Sequence, residues 1–122
     1  MLKSIIISSA LIVATANIAL AGSGTFRGAS GHETTGSVTV TEKGDQLIIQ
    51  LGDNFSLDNA PDAYVSVGNG LLPVKGGTAG LLKNLKGAGT YTIPATAKNK
   101  AAKNVIIWCK KFAVPLGVAT LK

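Results

Sequence analysis

Cys109 is the single cysteine of this 122-residue chain, so its sulfur is an inert side chain, a ligand, a redox thiol or half of a disulfide to another chain. It ends the apolar run 105–109 and precedes Lys110 and Lys111. On an alternating strand Cys109 shares a face with Val105, and it is a small buried hydrophobe if that face is the core. A strand end beside two positive charges, which favour the thiolate, is instead typical of a redox thiol or an axial ligand. The residues leave both interpretations open.

Three further side chains could assist that sulfur. His32 is expected in a loop and facing solvent; near Cys109 it could ligate a haem iron together with the sulfur, or tune the thiolate. Asp62 follows a proline, where an aspartate most often caps its own turn, although a carboxylate beside a functional thiol is the alternative. Trp108 is expected to be a core or inter-sheet anchor or, beside a redox cysteine, to stack on a cofactor.

Composition excludes several other chemistries. One cysteine permits no internal disulfide, no paired-cysteine metal site and no Cys-x-x-Cys redox motif, and one histidine excludes a His-rich zinc or copper site. No glycine-rich phosphate loop precedes a predicted helix, and no serine lies in a nucleophile-elbow motif. The sequence therefore favours a non-hydrolytic protein without a catalytic constellation of its own, and it names no metal.

The elements that must position these residues are predicted to be short strands. Residues 37–41 alternate polar and apolar side chains, and they lead through a glycine-containing turn into 46–51, which predicts a hairpin. Turn signals recur every 8–12 residues, and the glycine pair 76–77 is predicted to break the chain after 71–74. Residues 95–104 could hold a helical turn. Eight or nine short strands predict an all-β, antiparallel β-sandwich or barrel.

The first 21 residues have the pattern of an export signal. Lys3 is the only charge before Arg27, an apolar stretch follows it, and Ala19-Leu20-Ala21 offers a small-residue cleavage site. A retained membrane anchor is the alternative, but polar residues inside the stretch favour cleavage. We expect residues 1–21 to be a signal peptide and 22–122 to be one domain. That domain would be periplasmic or secreted, with no stable membrane insertion.

The charge of the mature chain is positive but does not point to nucleic acid. Loss of Lys3 with the signal leaves 11 basic against 6 acidic side chains. A basic face could meet an acidic partner, anionic lipid or nucleic acid. Arg27 is the sole arginine, however, and no aromatic residues interleave with the late lysines. We therefore expect solubilising lysines and no nucleic-acid partner.

Four segments of the sequence, taken together, match the pattern of a known family. Together they resemble the DM-thirteen domain, a small β-sandwich found beside DOMON-type domains, and they span about residues 24–121. The segments are Gly24-x-Phe26 with His32 and Gly36-x-Val38; Pro61-Asp62-Ala63-Tyr64-Val65; Leu85-Lys86-Gly87 with Tyr91-x-Ile93-Pro94; and Val105 to Val114 with Gly117-x-Ala119-x-Leu121. The last segment is the most specific.

The resemblance implies an electron-transfer or redox module. The family's signature cysteine, here Cys109, would act as a bare thiol or as a ligand for a prosthetic group such as haem. His32 matches the family's early histidine, and Pro61-Asp62 matches its loop before a strand. Pro115-Leu116 departs from the family, which often has an aromatic or bulkier pair there, but the departure does not touch Cys109.

We therefore predict an exported redox or electron-transfer accessory domain centred on Cys109, with or without a cofactor and working with a redox partner protein. The alternative is a non-catalytic β-sandwich module that binds a ligand or a protein and has a structural Cys109. A third interpretation is a disulfide-linked dimer through Cys109 in place of a monomer.

Overall fold

The computed structural model describes residues 18–122, so most of the predicted signal peptide lies outside the described residues. None of the helices in this range is long and apolar enough to cross a membrane. The described residues form ten strands and one helix: β1 (Ile18–Gly28), β2 (Thr34–Thr35), β3 (Ser37–Lys43), β4 (Gln46–Leu51), β5 (Ser56–Leu57), β6 (Ala63–Asn69), β7 (Leu72–Leu81), β8 (Gly89–Pro94), α1 (Ala97–Ala101), β9 (Asn104–Cys109) and β10 (Val114–Thr120). The all-β, antiparallel class is confirmed, and α1 lies inside the stretch predicted to hold a helical turn.

Eight strands form one antiparallel sheet in the order β7-β6-β9-β10-β1-β3-β4-β8, and β2 pairs with β5 separately. The predicted hairpin is β3–β4, whose register runs from Val38↔Leu51 to Lys43↔Gln46. Gly44 opens its two-residue turn with a φ of +59°, a conformation that glycine adopts without steric cost.

The sheet folds over on itself at β1. Residues 18–25 of this strand pair with β3, whereas residues 26–28 pair with β10. This change of partner brings the outermost strands, β7 and β8, into contact, so the sheet is nearly closed. The core lies between the two halves, and Phe26 packs edge-on against Phe55 inside it, with ring centroids 5.3 Å apart.

A side chain of the short helix α1 joins the two edge strands. The Asn99 Nδ2 donates to the Pro94 carbonyl of β8 at 2.9 Å and to the Gly76 carbonyl of β7 at 3.1 Å. The helix itself begins at the N-cap Thr96, whose Oγ1 accepts the Asn99 N–H at 3.2 Å. A helix of five residues is therefore held by its cap and by both strand edges.

Strand β7 differs from the sequence prediction. The glycine pair 76–77 was predicted to end a strand, but β7 continues through it to Leu81. Its register against β6 shifts twice, so that Pro73 lies opposite Gly68 and Thr78 opposite Ser66. Residues 74–77 form the bulge between these pairs, because an antiparallel ladder accommodates extra residues without ending.

Candidate functional site

Cys109 is the last residue of β9 and is fully buried. It lies opposite Ala63 in β6 and Val114 in β10. Val105 and Ile107, which share its face of the strand, are also fully buried. All three belong to the hydrophobic core cluster, so the face of β9 that contains Cys109 is the core face, which was the condition for a small buried hydrophobe. The redox and ligand roles of Cys109 stay predictions.

Two connections lie at this end of the sheet. The turn 110–113 joins β9 to β10, and the loop 58–62 leads into β6 beside it. The backbone N–H of Lys110 donates to the Asp62 carbonyl at 3.1 Å, which ties the turn to the loop directly beyond Cys109. The sulfur is thus buried at the rim of the sheet, one residue from solvent-exposed chain.

The two lysines after Cys109 contact aromatic rings. The Lys110 Nζ lies 5.3 Å from the centroid of the Tyr64 ring, and the Lys111 Nζ lies 5.5 Å from that of Phe112. Cation–π attraction holds an ammonium group over the face of such a ring. Both charges therefore lie at the surface, while the Cys109 sulfur lies in the core.

Trp108 lies on the opposite face of β9 from Cys109 and outside the hydrophobic core cluster, so it is not the core anchor that was predicted. It is half-buried and stands directly across from Tyr64 of β6, and both rings line a groove of about 530 Å³ on the outer face of the sheet. Lys110 and several β7 residues complete the groove. A cofactor in this groove could stack on Trp108 but could not reach the Cys109 sulfur, so these two predicted cofactor contacts are not brought together.

His32 is brought together with an aspartate that the sequence analysis did not single out. Its Nδ1 donates to the Asp58 Oδ1 at 3.0 Å. The same carboxylate accepts the backbone N–H of Glu33 at 3.1 Å and that of Asn59 at 2.7 Å. These two backbone bonds, with a smaller contribution from the His32 ring, hold the pKa of Asp58 below its ordinary value of 3.8. Within the described range no hydrogen bond joins His32 to Cys109.

Asp62 contributes a backbone hydrogen bond to this part of the structure. Its carbonyl accepts the Lys110 N–H, whereas its carboxylate makes no hydrogen bond to any residue from 18 to 122. Asp58 is the carboxylate that organises this loop. The signal for it was the pair Asp58-Asn59 directly after a strand, because both residue types bond their own backbone in turns.

The surroundings of Cys109 do not fit a haem. A porphyrin at the sulfur would have to displace the core side chains that leave Cys109 with no exposed surface. Across residues 18–122, no group of three or more His, Cys, Asp or Glu side chains could hold a metal ion. The His32 Nδ1 is bonded to Asp58, and the His32–Cys109 ligand pair stays a prediction.

Comparison with known proteins gives one finding at the level of the family. Residues 25–121 match the model of a protein family described as Electron transfer DM13. No curated protein and no solved structure gave a significant match to the chain.

Proposed function

Because the chain belongs to the family described as Electron transfer DM13, we propose that it is an exported accessory domain of an electron-transfer system, with Cys109 as its redox group. The match over residues 25–121 confirms the resemblance that the four sequence segments indicated, and it covers nearly all of the described structure. Electron transfer in general follows from the family. The cysteine and the export are the finer parts of the proposal.

The position of Cys109 at the rim is the observation that carries the finer proposal. Cys109 is the chain's single cysteine, and it ends a strand beside the turn 110–113 and the loop 58–62, which a backbone hydrogen bond joins. Burial shields the sulfur from oxidants and from a partner's disulfide, and it therefore slows oxidation. Separation of the turn 110–113 from the loop 58–62 would expose the sulfur without unfolding the sheet.

The redox step of a lone thiol is exchange with a disulfide of a partner protein. The exposed thiol loses its proton to solvent, and its sulfur attacks one sulfur of the partner's disulfide. A mixed disulfide forms between the Cys109 sulfur and the attacked sulfur, and the electron pair of the broken S–S bond leaves with the partner's other sulfur, which becomes a thiolate. The buried resting state is a monomer with a reduced thiol, and a second copy of the chain could pair with it only after the same opening.

The test is the reaction rate of the folded protein with an aromatic disulfide reagent, 5,5′-dithiobis(2-nitrobenzoate), measured against its global unfolding free energy. We expect a rate above that allowed by global unfolding. Lys110→Pro, which removes the N–H bonded to Asp62, should raise the rate about three- to tenfold. Lys110→Ala keeps that N–H and is the matched control. A thiol that reacts only at the rate of global unfolding would exclude the redox role.

A second candidate function is a ligand-binding module with a structural Cys109. The full burial of Cys109 and the groove at Trp108 on the other face favour it. The variant Cys109→Ala distinguishes the two functions. Electron exchange with a partner disulfide is abolished by this change, whereas ligand binding at the outer groove is retained.

A further inference from the structure

The outer groove has an aromatic floor set by strand register. Tyr64 and Trp108 are direct cross-strand partners, so their side chains lie next to each other on the same face of β6 and β9. Both are half-buried, which leaves part of each ring available. The Lys110 Nζ lies over the Tyr64 ring at one end of this floor.

The far wall of the groove is the irregular part of β7. Leu72, Val74 and Lys75 line it, in and beside the bulge formed by residues 74–77. The bulge is fixed from behind, because Asn99 donates to the Gly76 carbonyl. This hydrogen bond holds the irregular backbone of β7 in place. The groove between β7 and the Tyr64–Trp108 pair has a volume of about 530 Å³, within the usual size of small-molecule sites.

The lining side chains define the chemistry that fits. The floor and wall are aromatic and aliphatic, the charged groups are Lys75 and Lys110, and no acidic side chain lines the groove. An aromatic ring would stack on Trp108, and an anionic substituent on that ring would meet the two ammonium groups. A cation would meet two like charges and no partner.

We propose that this groove binds a small planar aromatic compound that carries an anionic substituent. The ring lies against Trp108 and under the wall formed by Val74, and the anionic group lies between Lys75 and Lys110. The site does not depend on Cys109, whose thiol is on the other face of β9. The outcome of a test of the redox role of Cys109 therefore does not affect this proposal.

Trp108 is the chain's single tryptophan, so its fluorescence reports the site directly. The probes are 8-anilinonaphthalene-1-sulfonate and N-phenyl-1-naphthylamine, which share a ring system but differ in the sulfonate. We expect saturable quenching of Trp108 by the sulfonate probe, with an affinity about tenfold above that of the neutral probe. Lys75→Gln with Lys110→Gln should reduce the affinity for the sulfonate to that for the neutral probe.

The control variant is Lys43→Gln, at the far end of β3, which should leave both affinities unchanged. Near-ultraviolet circular dichroism and unfolding midpoints establish that each variant is folded. Equal affinity for the two probes, an unchanged affinity in the double lysine variant, or no saturable quenching in the folded protein would each overturn the proposal. Cys109→Ala should bind as the parent does, which separates this test from that of the redox function.

Discussion

The environment of the Cys109 sulfur is set by the alternation of strand β9 and not by the charges of the next two residues. Lys110 and Lys111 adjoin it in sequence, but their ammonium groups lie over aromatic rings at the surface. Successive strand residues point to opposite faces, and a turn redirects those beyond the strand end. Sequence proximity of a lysine to a cysteine therefore does not place its charge at the sulfur.

Substitution of Cys109 should show this burial as a difference between two small side chains. Cys109→Ser places a hydroxyl in an apolar site and should lower the free energy of unfolding by about 1–3 kcal/mol, since a buried hydroxyl needs a partner. Cys109→Ala introduces no polar group and should cost less. Urea unfolding measures both, and a serine variant as stable as the parent would contradict a buried sulfur.

His32 shows how far single residues could be predicted from the sequence. Its loop position was predicted, but its partner Asp58 was not. The two residues are 26 positions apart and meet because β2 pairs with β5, and these strands have two residues each. Strands that short contain no readable alternation, so no sequence pattern could bring His32 to Asp58.

The Asp58 carboxylate should make the stability of the fold depend on acid pH. Its pKa is lowered in the folded protein, chiefly by the backbone N–H groups of Glu33 and Asn59, so the charged form stabilises the fold. That stability is fully present above the ordinary pKa of 3.8 and is lost as the pH falls through the lowered value. Asp58→Asn should therefore be less stable than the parent at neutral pH and equally stable in strong acid.

The matched control for this change is Asp62→Asn, in the same loop. The Asp62 carboxylate makes no hydrogen bond to the residues at 18–122, so its loss should leave the pH dependence as in the parent. Urea titrations at a series of pH values measure both variants. A constant difference between Asp58→Asn and the parent across the whole pH range would contradict the linkage.

Among the elements, the strands with alternation were predictable and β7 was not. The patterns in 37–41 and 46–51 correspond to β3 and β4, and the apolar run 105–109 corresponds to most of β9. In β7 the proline and glycines are turn signals, yet they serve a bulge whose existence depends on pairing with β6. The same bulge forms one wall of the outer groove, so the groove could not be predicted from sequence.

Asn99 should control the closure of the sheet. Asn99→Ala removes the two hydrogen bonds by which this side chain joins β7 to β8. The loss of these bonds should lower the free energy of unfolding by about 1–3 kcal/mol. Hydrogen exchange should become faster in β7 and β8 before it does in β9, because only the edges are released. Lys98→Ala, on the same helix and exposed, is the control. Uniformly faster exchange in all strands would contradict a role confined to closure.

For the molecule as a whole, the proposed cleavage site coincides with an irregularity in β1. Residues 18–20 pair with Lys43, Glu42 and Thr41, and the register then shifts between Leu20 and Gly22. Before this shift Ile18 and Leu20 are 62% and 67% exposed, which is unusual for large apolar side chains at the edge of a core. After it, the backbone of Ser23 exchanges hydrogen bonds with that of Lys122. The part of β1 that export would remove therefore contributes little burial.

Export of the full chain from a bacterial cytoplasm should yield a periplasmic protein of 101 residues that begins at Gly22. Intact mass and N-terminal sequencing measure this. Ala21→Lys, which places a large charged residue at the proposed site, should block cleavage and leave the chain in the membrane fraction. Because the lost residues 18–21 are exposed, the chain 22–122 should unfold within about 0.5 kcal/mol of the chain 18–122. An uncleaved parent protein in the membrane fraction would support the retained membrane anchor. A marked loss of stability in the chain 22–122 would show that residues 18–21 contribute to the stability of the sheet.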